Sequence, residues 1–219
     1  MARPESAVRR LMRETGKLLQ AYGFEGEEPT WVRVGEGGVA TVGRTRVSRV
    51  WTGGRQELRF GLAVDVTPVG FWEFCTWRDE RAGKPVTPIE KAAGPGVITD
   101  FGIPDDVWSL RVESTQQGQH AWQGDIDAIR AELPKRVHAC ARAALRLAGP
   151  DRYLEELLTL SDPGIGAREA MVIPLADRGP SAQLEEAIDN LRMCFARRAG
   201  AEYVEEVVIW YARSRAALV

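Results

Sequence analysis

The sequence predicts an α+β fold: an antiparallel sheet of about four strands packed against helices, followed by a C-terminal helical segment. Three observations carry this expectation. Gln56 to Thr67 (QELRFGLAVDVT) alternates with a period of two, putting Leu58, Phe60, Leu62, Val64 and Val66 on one face. That is the pattern of a sheet half-buried against a helical layer. Ser6–Tyr22 and Asp125–Leu147 step their apolar residues by threes and fours instead, the pattern of amphipathic helices. Beyond Pro150 helical periodicity takes over.

The first helix, Ser6 to Tyr22, puts Val8, Leu11, Met12, Leu18 and Leu19 broadly on one side and five charged residues around the other. Gly23 is placed to stop it. Gly16 in its middle costs about 1 kcal/mol against Ala, or else lets another element approach closely.

Thr30–Val34 reads as a strand ending in the turn GEGG. Val39–Trp51 reads as the next, with a bulge where its alternation shifts phase near Val47 to Val50 and Gly43 breaks it. A turn at Gly53-Gly54 leads into the diagnostic strand. The aromatic run FWEFCTW (Phe71–Trp77) fits neither period. Gly83–Asp106 is rich in Pro and Gly and reads as a long irregular connection.

Trp108–Glu113 is expected as a fourth strand. The helix from Asp125 uses Ile126, Ile129, Leu133, Val137, Cys140, Ala144 and Leu147 as its apolar stripe; Pro134 must kink or split it. After Gly149-Pro150 come helices at Arg152–Leu160, Ala167–Ala176, Ser181–Arg198 and Ala201–Ala217, the last two forming a helical hairpin. The expected organisation is therefore an α+β domain over 1–149 and a helical extension over 150–219.

At 219 residues, 44% of them apolar, the chain can bury a core without a disulfide or metal staple. The net charge of −2 does not favour nucleic acid, and the 25 arginines among 29 basic residues fit a GC-rich genome as well as any functional need. Cys75, Cys140 and Cys194 are widely spaced, with no C-x-x-C pair and no Cys/His cluster. No metal site or cofactor is expected. With no apolar leader and no membrane-length apolar run, a cytoplasmic location is expected and no membrane partner.

The order Leu18–Phe24 (LLQAYGF), Trp31-Val32-Arg33, Phe60–Val66 (FGLAVDV), Trp108-Ser109-Leu110 and the helix from Asp125 resembles a bacterial family known only as domain of unknown function 4304. The resemblance covers roughly residues 6–148 and implies an α+β fold with a small antiparallel sheet. It carries over no catalytic residue, and the helical tail lies outside it.

Enzymatic readings are thin. Ser114, His120 and Asp125 could be imagined as a hydrolase triad, but no nucleophile elbow accompanies them. Asp65 and Glu57 share a face of the central strand, yet a nuclease-like metal site would also want a lysine on a neighbouring strand, and the expected strands have none. Asp105 and Asp106 follow Pro104 in the long connection, where they serve as turn residues. GEGG and TGGR lie between strands and read as turns, not phosphate loops. His138 is expected on the surface, and Cys75 has no His or Lys beside it to activate it.

The remaining constellation is basic and aromatic: Trp31, Arg33, Arg44, Arg46 and Arg59, with Arg49, Arg55 and Trp51 nearby. Arginine and tryptophan dominate binding hot spots; the same pattern also suits a solvated sheet face with arginine stems over indole rings. The expected function is a non-catalytic protein that binds another macromolecule, a protein before a nucleic acid, in the manner of immunity or accessory proteins. The rivals are a hydrolase- or nuclease-like enzyme with a pocket under the 83–106 connection, and a regulator that contacts nucleic acid. Neither a catalytic residue nor an oligomeric state can be named from the residues.

Overall fold

The alternating segment Gln56–Thr67 does not form one strand. It breaks at Gly61 into two strands that belong to different sheets. The computed structural model describes residues 3–101, 107–115, 118–196 and 198–219. Among these, an N-terminal helix α1 (Pro4–Gln20) is followed by β1 (Glu25–Glu27), β2 (Thr30–Gly35), β3 (Gly38–Arg44), β4 (Ser48–Thr52), β5 (Arg55–Phe60) and β6 (Leu62–Pro68). Then come α2 (Val69–Arg81), a 3-10 turn (Ile89–Lys91), β7 (Trp108–Thr115), β8 (Gly118–Ala121) and α3 (Gln123–Leu147). The C-terminal region is helical: α4 (Arg152–Leu158), α5 (Ile165–Ala176), α6 (Ala182–Phe195) and α7 (Ala201–Tyr203), which continues through a π-helical stretch (Val204–Ile209) into α8 (Trp210–Ala216).

The fold is α+β, as the periodicities predict, with two four-stranded antiparallel sheets in the orders β1-β2-β3-β6 and β4-β5-β7-β8. The expected single strand Val39–Trp51 is likewise two, ending at Arg44 and resuming at Ser48. Both breaks lie at one place. The Thr45 amide donates to the Gly61 carbonyl at 3.0 Å, and the Gly61 amide donates to Thr45 Oγ1 at 2.8 Å. These two bonds satisfy the backbone where the paired strands leave one sheet for the other.

By contact density the chain divides into two compact units. The first takes residues up to 33, 40–65 and 100–145; the second takes 34–39, 66–99 and 146–219. The second unit contains α2 together with the C-terminal helices. The aromatic run Phe71–Trp77 is the reason. It is helical, and Phe74 packs edge-on against Tyr211 at 5.1 Å while Trp77 stacks on Trp210 at 5.4 Å.

In the first unit α1 begins and ends two residues before the expected Ser6–Tyr22. Gly23, at φ 77°, ends α1. On α3, Ile126, Ile129, Leu133, Val137, Cys140 and Ala144 are all buried, as is Leu147 at its end, and the helix runs unbroken through Pro134. It is tied to β7 through Trp108, whose indole N–H donates to Glu132 at 2.9 Å beneath the Arg136 guanidinium.

In the second unit the core is Phe74, Leu154, Val172, Ile173, Leu184, Ile188, Leu191 and Val208 with their neighbours. Ser181 caps α6 by accepting from the Leu184 amide. Arg215 joins Glu73 and Asp177, each at 2.8 Å. Residues 83–88 and 92–101 carry no helix or strand, in keeping with the irregular connection expected there. No helix among the described residues is long and apolar enough to cross a membrane.

Candidate binding groove on the β4-β5-β7-β8 sheet

The β4–β5 hairpin is built by its turn. Gly53 and Gly54 both adopt positive φ, 58° and 75°, the conformation that a two-residue hairpin matching strand twist requires. That fixes the register: Thr52 pairs with Arg55, Trp51 with Gln56, and Val50 with Glu57. The next strand continues the rows, with Gln56 opposite Val112 and Glu57 opposite Arg111.

At this end of the sheet lies a groove of about 570 Å³ lined by Trp51, Arg55, Gln56, Arg111, Glu113 and Trp122 among others. Trp51 is 72% exposed and Trp122 39%. Both indoles present apolar surface to solvent at a cost in hydration.

Arg111 is held rigidly. Its guanidinium lies 3.5 Å from the Trp122 ring centre. Its Nε and Nη2 donate to the Asp125 carboxylate at 2.9 and 2.7 Å, and its backbone amide donates to the same group at 2.8 Å. Trp122 is seated in turn by Gly124, where a Cβ would come within 3.0 Å of the ring. Asp125 also places its charge in the first turn of α3, where the helix dipole favours it. The groove thus offers two indoles, one stacked and neutralised guanidinium, and a flanking Arg55 and Glu113 of opposite sign.

The five residues singled out from the sequence do not share one face. Trp31 is buried, 3% exposed, against α1. Arg33 donates to the Tyr22 carbonyl. Arg44 is paired with Glu28 at 2.9 Å and donates to the Thr45 carbonyl. Arg46 is exposed in the crossover between β3 and β4. Arg59 lies on β5 within 3.4 Å of Glu57 and Thr52. The bend at Thr45 and Gly61 leaves Trp31, Arg33 and Arg44 on one sheet, Arg59 on the other and Arg46 between them. It also puts Trp51, opposite Gln56, in the row beside the Val50–Glu57 row rather than on the Glu57 face. Trp122 and Arg111 escaped the sequence reading. Their signal was the short spacing of Trp122 and Asp125 at a helix start, which becomes informative only once β7 and β8 are paired.

Among the described residues the candidate catalytic groups do not come together. Ser114 pairs with Gln119 and His120 with Glu113, so Ser114 and His120 project from opposite faces of the sheet. Asp125 is occupied by Arg111, and His120 Nδ1 is buried with no hydrogen-bond partner. A triad base needs a carboxylate at that nitrogen. Glu57 accepts from Ser109 at 3.1 Å and belongs to the β4-β5-β7-β8 sheet, whereas Asp65 is on β6 in the other. Asp105 and Asp106 lie outside the described residues. Among the described residues no group of three or more His, Cys, Asp or Glu is placed to hold a metal ion.

His138 is exposed, with the Tyr22 hydroxyl at 2.6 Å from Nδ1. Burial raises the thiol pKa of Cys75, and pushes that of Cys140 up to about 11. Burial thus opposes thiolate formation at both. In the second unit, Glu169, Arg78 and Tyr203 form a hydrogen-bonded cluster in which burial raises the Glu169 pKa.

Comparison with protein-family models, with curated proteins and with solved structures returned no match. The resemblance to the family of unknown function draws no support from them.

Proposed function

We propose that this protein is a non-catalytic binding protein that docks a protein partner in the groove between Trp51 and Trp122. One observation carries the reading: two solvent-exposed tryptophans line a groove whose central arginine is already fixed by a 3.5 Å stack and a carboxylate. Tryptophan and arginine are the residue types that concentrate binding energy. A side chain ordered before the partner arrives loses little entropy on association.

The mixed charge of the walls favours a protein over a polyanion. Arg111 is neutralised by Asp125, and Glu113 lines the same groove. Catalysis is disfavoured because no nucleophile meets a base there.

The test is retention of a partner from a lysate of the source cells by full-length protein and by Trp51→Ala, a substitution at an exposed site that leaves the core intact. The expected result is one dominant protein, held by the wild type and reduced about tenfold or more by the variant. Equal retention by both overturns the reading.

A further inference from the structure

We infer that β4 accepts an acidic, extended segment of the partner as an added strand. The inference rests on the Trp51–Trp122 reading and specifies how the partner is held. β4 ends the strand order β4-β5-β7-β8, so one side of its backbone has no neighbouring strand among the described residues. Ser48, Arg49, Trp51 and Thr52 are exposed and Val50 is half-buried. Arg49 reaches Glu5 of α1 from one face of the strand.

Sheet edges of this kind template pairing unless they are blunted by proline, a bulge or a cover. Residues 44–60 contain no proline, and all five β4 residues keep a regular one-to-one register with β5. Neither proline nor a bulge interrupts the outward row of amides and carbonyls on β4. A strand added there is held by main-chain hydrogen bonds, with every second side chain available for selection.

Charge selects the occupant. The stretch from Arg44 to Phe60 carries five arginines and a single acid, Glu57. Glu28, Glu5 and Glu57 pair with Arg44, Arg49 and Arg59. Arg46 and Arg55, both exposed, have no ion pair among the described residues and bracket β4 at its two ends. An acidic strand of about five residues reaches from one to the other.

The same charges disfavour a second copy of this chain, because antiparallel pairing of β4 with β4 would bring the Arg46 end of one copy beside the Arg55 end of the other. A nucleic acid would use the arginines but leave the backbone row unpaired.

The experiment selects binders to the full-length protein from a random peptide display library, with oligothymidine as a competing probe. The expected peptides are rich in Asp and Glu alternating with apolar residues, and they slow hydrogen exchange at the amides of residues 48–52. N-methylation of alternate peptide residues, or Arg46→Glu combined with Arg55→Glu, weakens them about tenfold or more.

Selection of no peptide, peptides without an acidic bias, binding that tolerates N-methylation, or protection confined to other amides overturns strand addition. Oligothymidine that protects residues 48–52 in place of peptide assigns the edge to nucleic acid and also overturns it. If strand addition fails while Trp51→Ala still releases the partner, the docking groove stands without it. If Trp51→Ala retains the partner, the groove reading itself falls.

Discussion

The Trp31 indole occupies the space that a side chain on Gly16 would need. A Cβ at Gly16 would lie 2.7 Å from Trp31 Nε1 and 3.1 Å from Cε2. Trp31 is 3% exposed, so the ring is a core element locking β2 to α1, and glycine is the residue that lets it in.

Gly16→Ala therefore destabilises the protein, although alanine favours the helix by about 1 kcal/mol. Overpacking against the ring costs about 1–3 kcal/mol and outweighs that gain. Urea unfolding of the single variant is expected to show a lower midpoint, and of Gly16→Ala on a Trp31→Val background an equal or higher midpoint than Trp31→Val alone. A single variant as stable as the wild type would show that the ring moves aside freely.

Asp125 is expected to matter more as a carboxylate than as a polar residue. It accepts from the Arg111 amide and guanidinium and sits in the first turn of α3. Asp125→Ala leaves those donors without their acceptor and is expected to cost about 1–3 kcal/mol. Asp125→Asn keeps an acceptor for the amide and should fall between the two. Equal stabilities of all three proteins in urea would mean that Arg111 is held by the Trp122 stack alone.

Two glutamates of the helical region bend the pH dependence in opposite directions. The hydrogen bond from Arg192 lowers the Glu205 pKa. Its stabilisation is present above the ordinary carboxylate range and is lost as pH falls through the depressed value. Burial raises the Glu169 pKa against the opposing pull of Arg78 and Tyr203. The unfolded chain ionises first there, so stability declines as pH rises from the ordinary carboxylate value through the raised one. In urea midpoints against pH, Glu205→Gln is expected to remove part of the acid-side loss. Glu169→Gln is expected to gain on the wild type from acid to neutral pH. A Glu169→Gln variant that loses ground over that interval reverses the sign and refutes the argument.

Much of the fold was legible because it rests on local periodicity. The α3 stripe from Ile126 to Leu147, the stop at Gly23, the Gly53-Gly54 hairpin and the C-terminal helices each follow from spacings within a few residues. Gly16 carried its own hint, since a glycine in a helix centre is unfavourable unless something needs the space. FWEFCTW was opaque because aromatic residues fill helix and strand alike, and only the rings of Trp210 and Tyr211 make its helical face meaningful.

The candidate site was the less legible part. Trp31 on β2 and Trp51 on β4 are the same residue type, yet one is sealed in the core and the other is 72% exposed. What separates them is the bend at Thr45 and Gly61, a pair of hydrogen bonds between residues sixteen apart that reassigns the strands beyond it to another sheet. Arg111, Trp122 and Asp125 likewise become one unit only when β7 and β8 pair. Alternation and helical spacing are properties of single segments, so the chain itself decided its elements and most of their buried faces. Which tryptophan meets solvent and which arginines stand together depend on long-range pairing, and only the tertiary structure decided that.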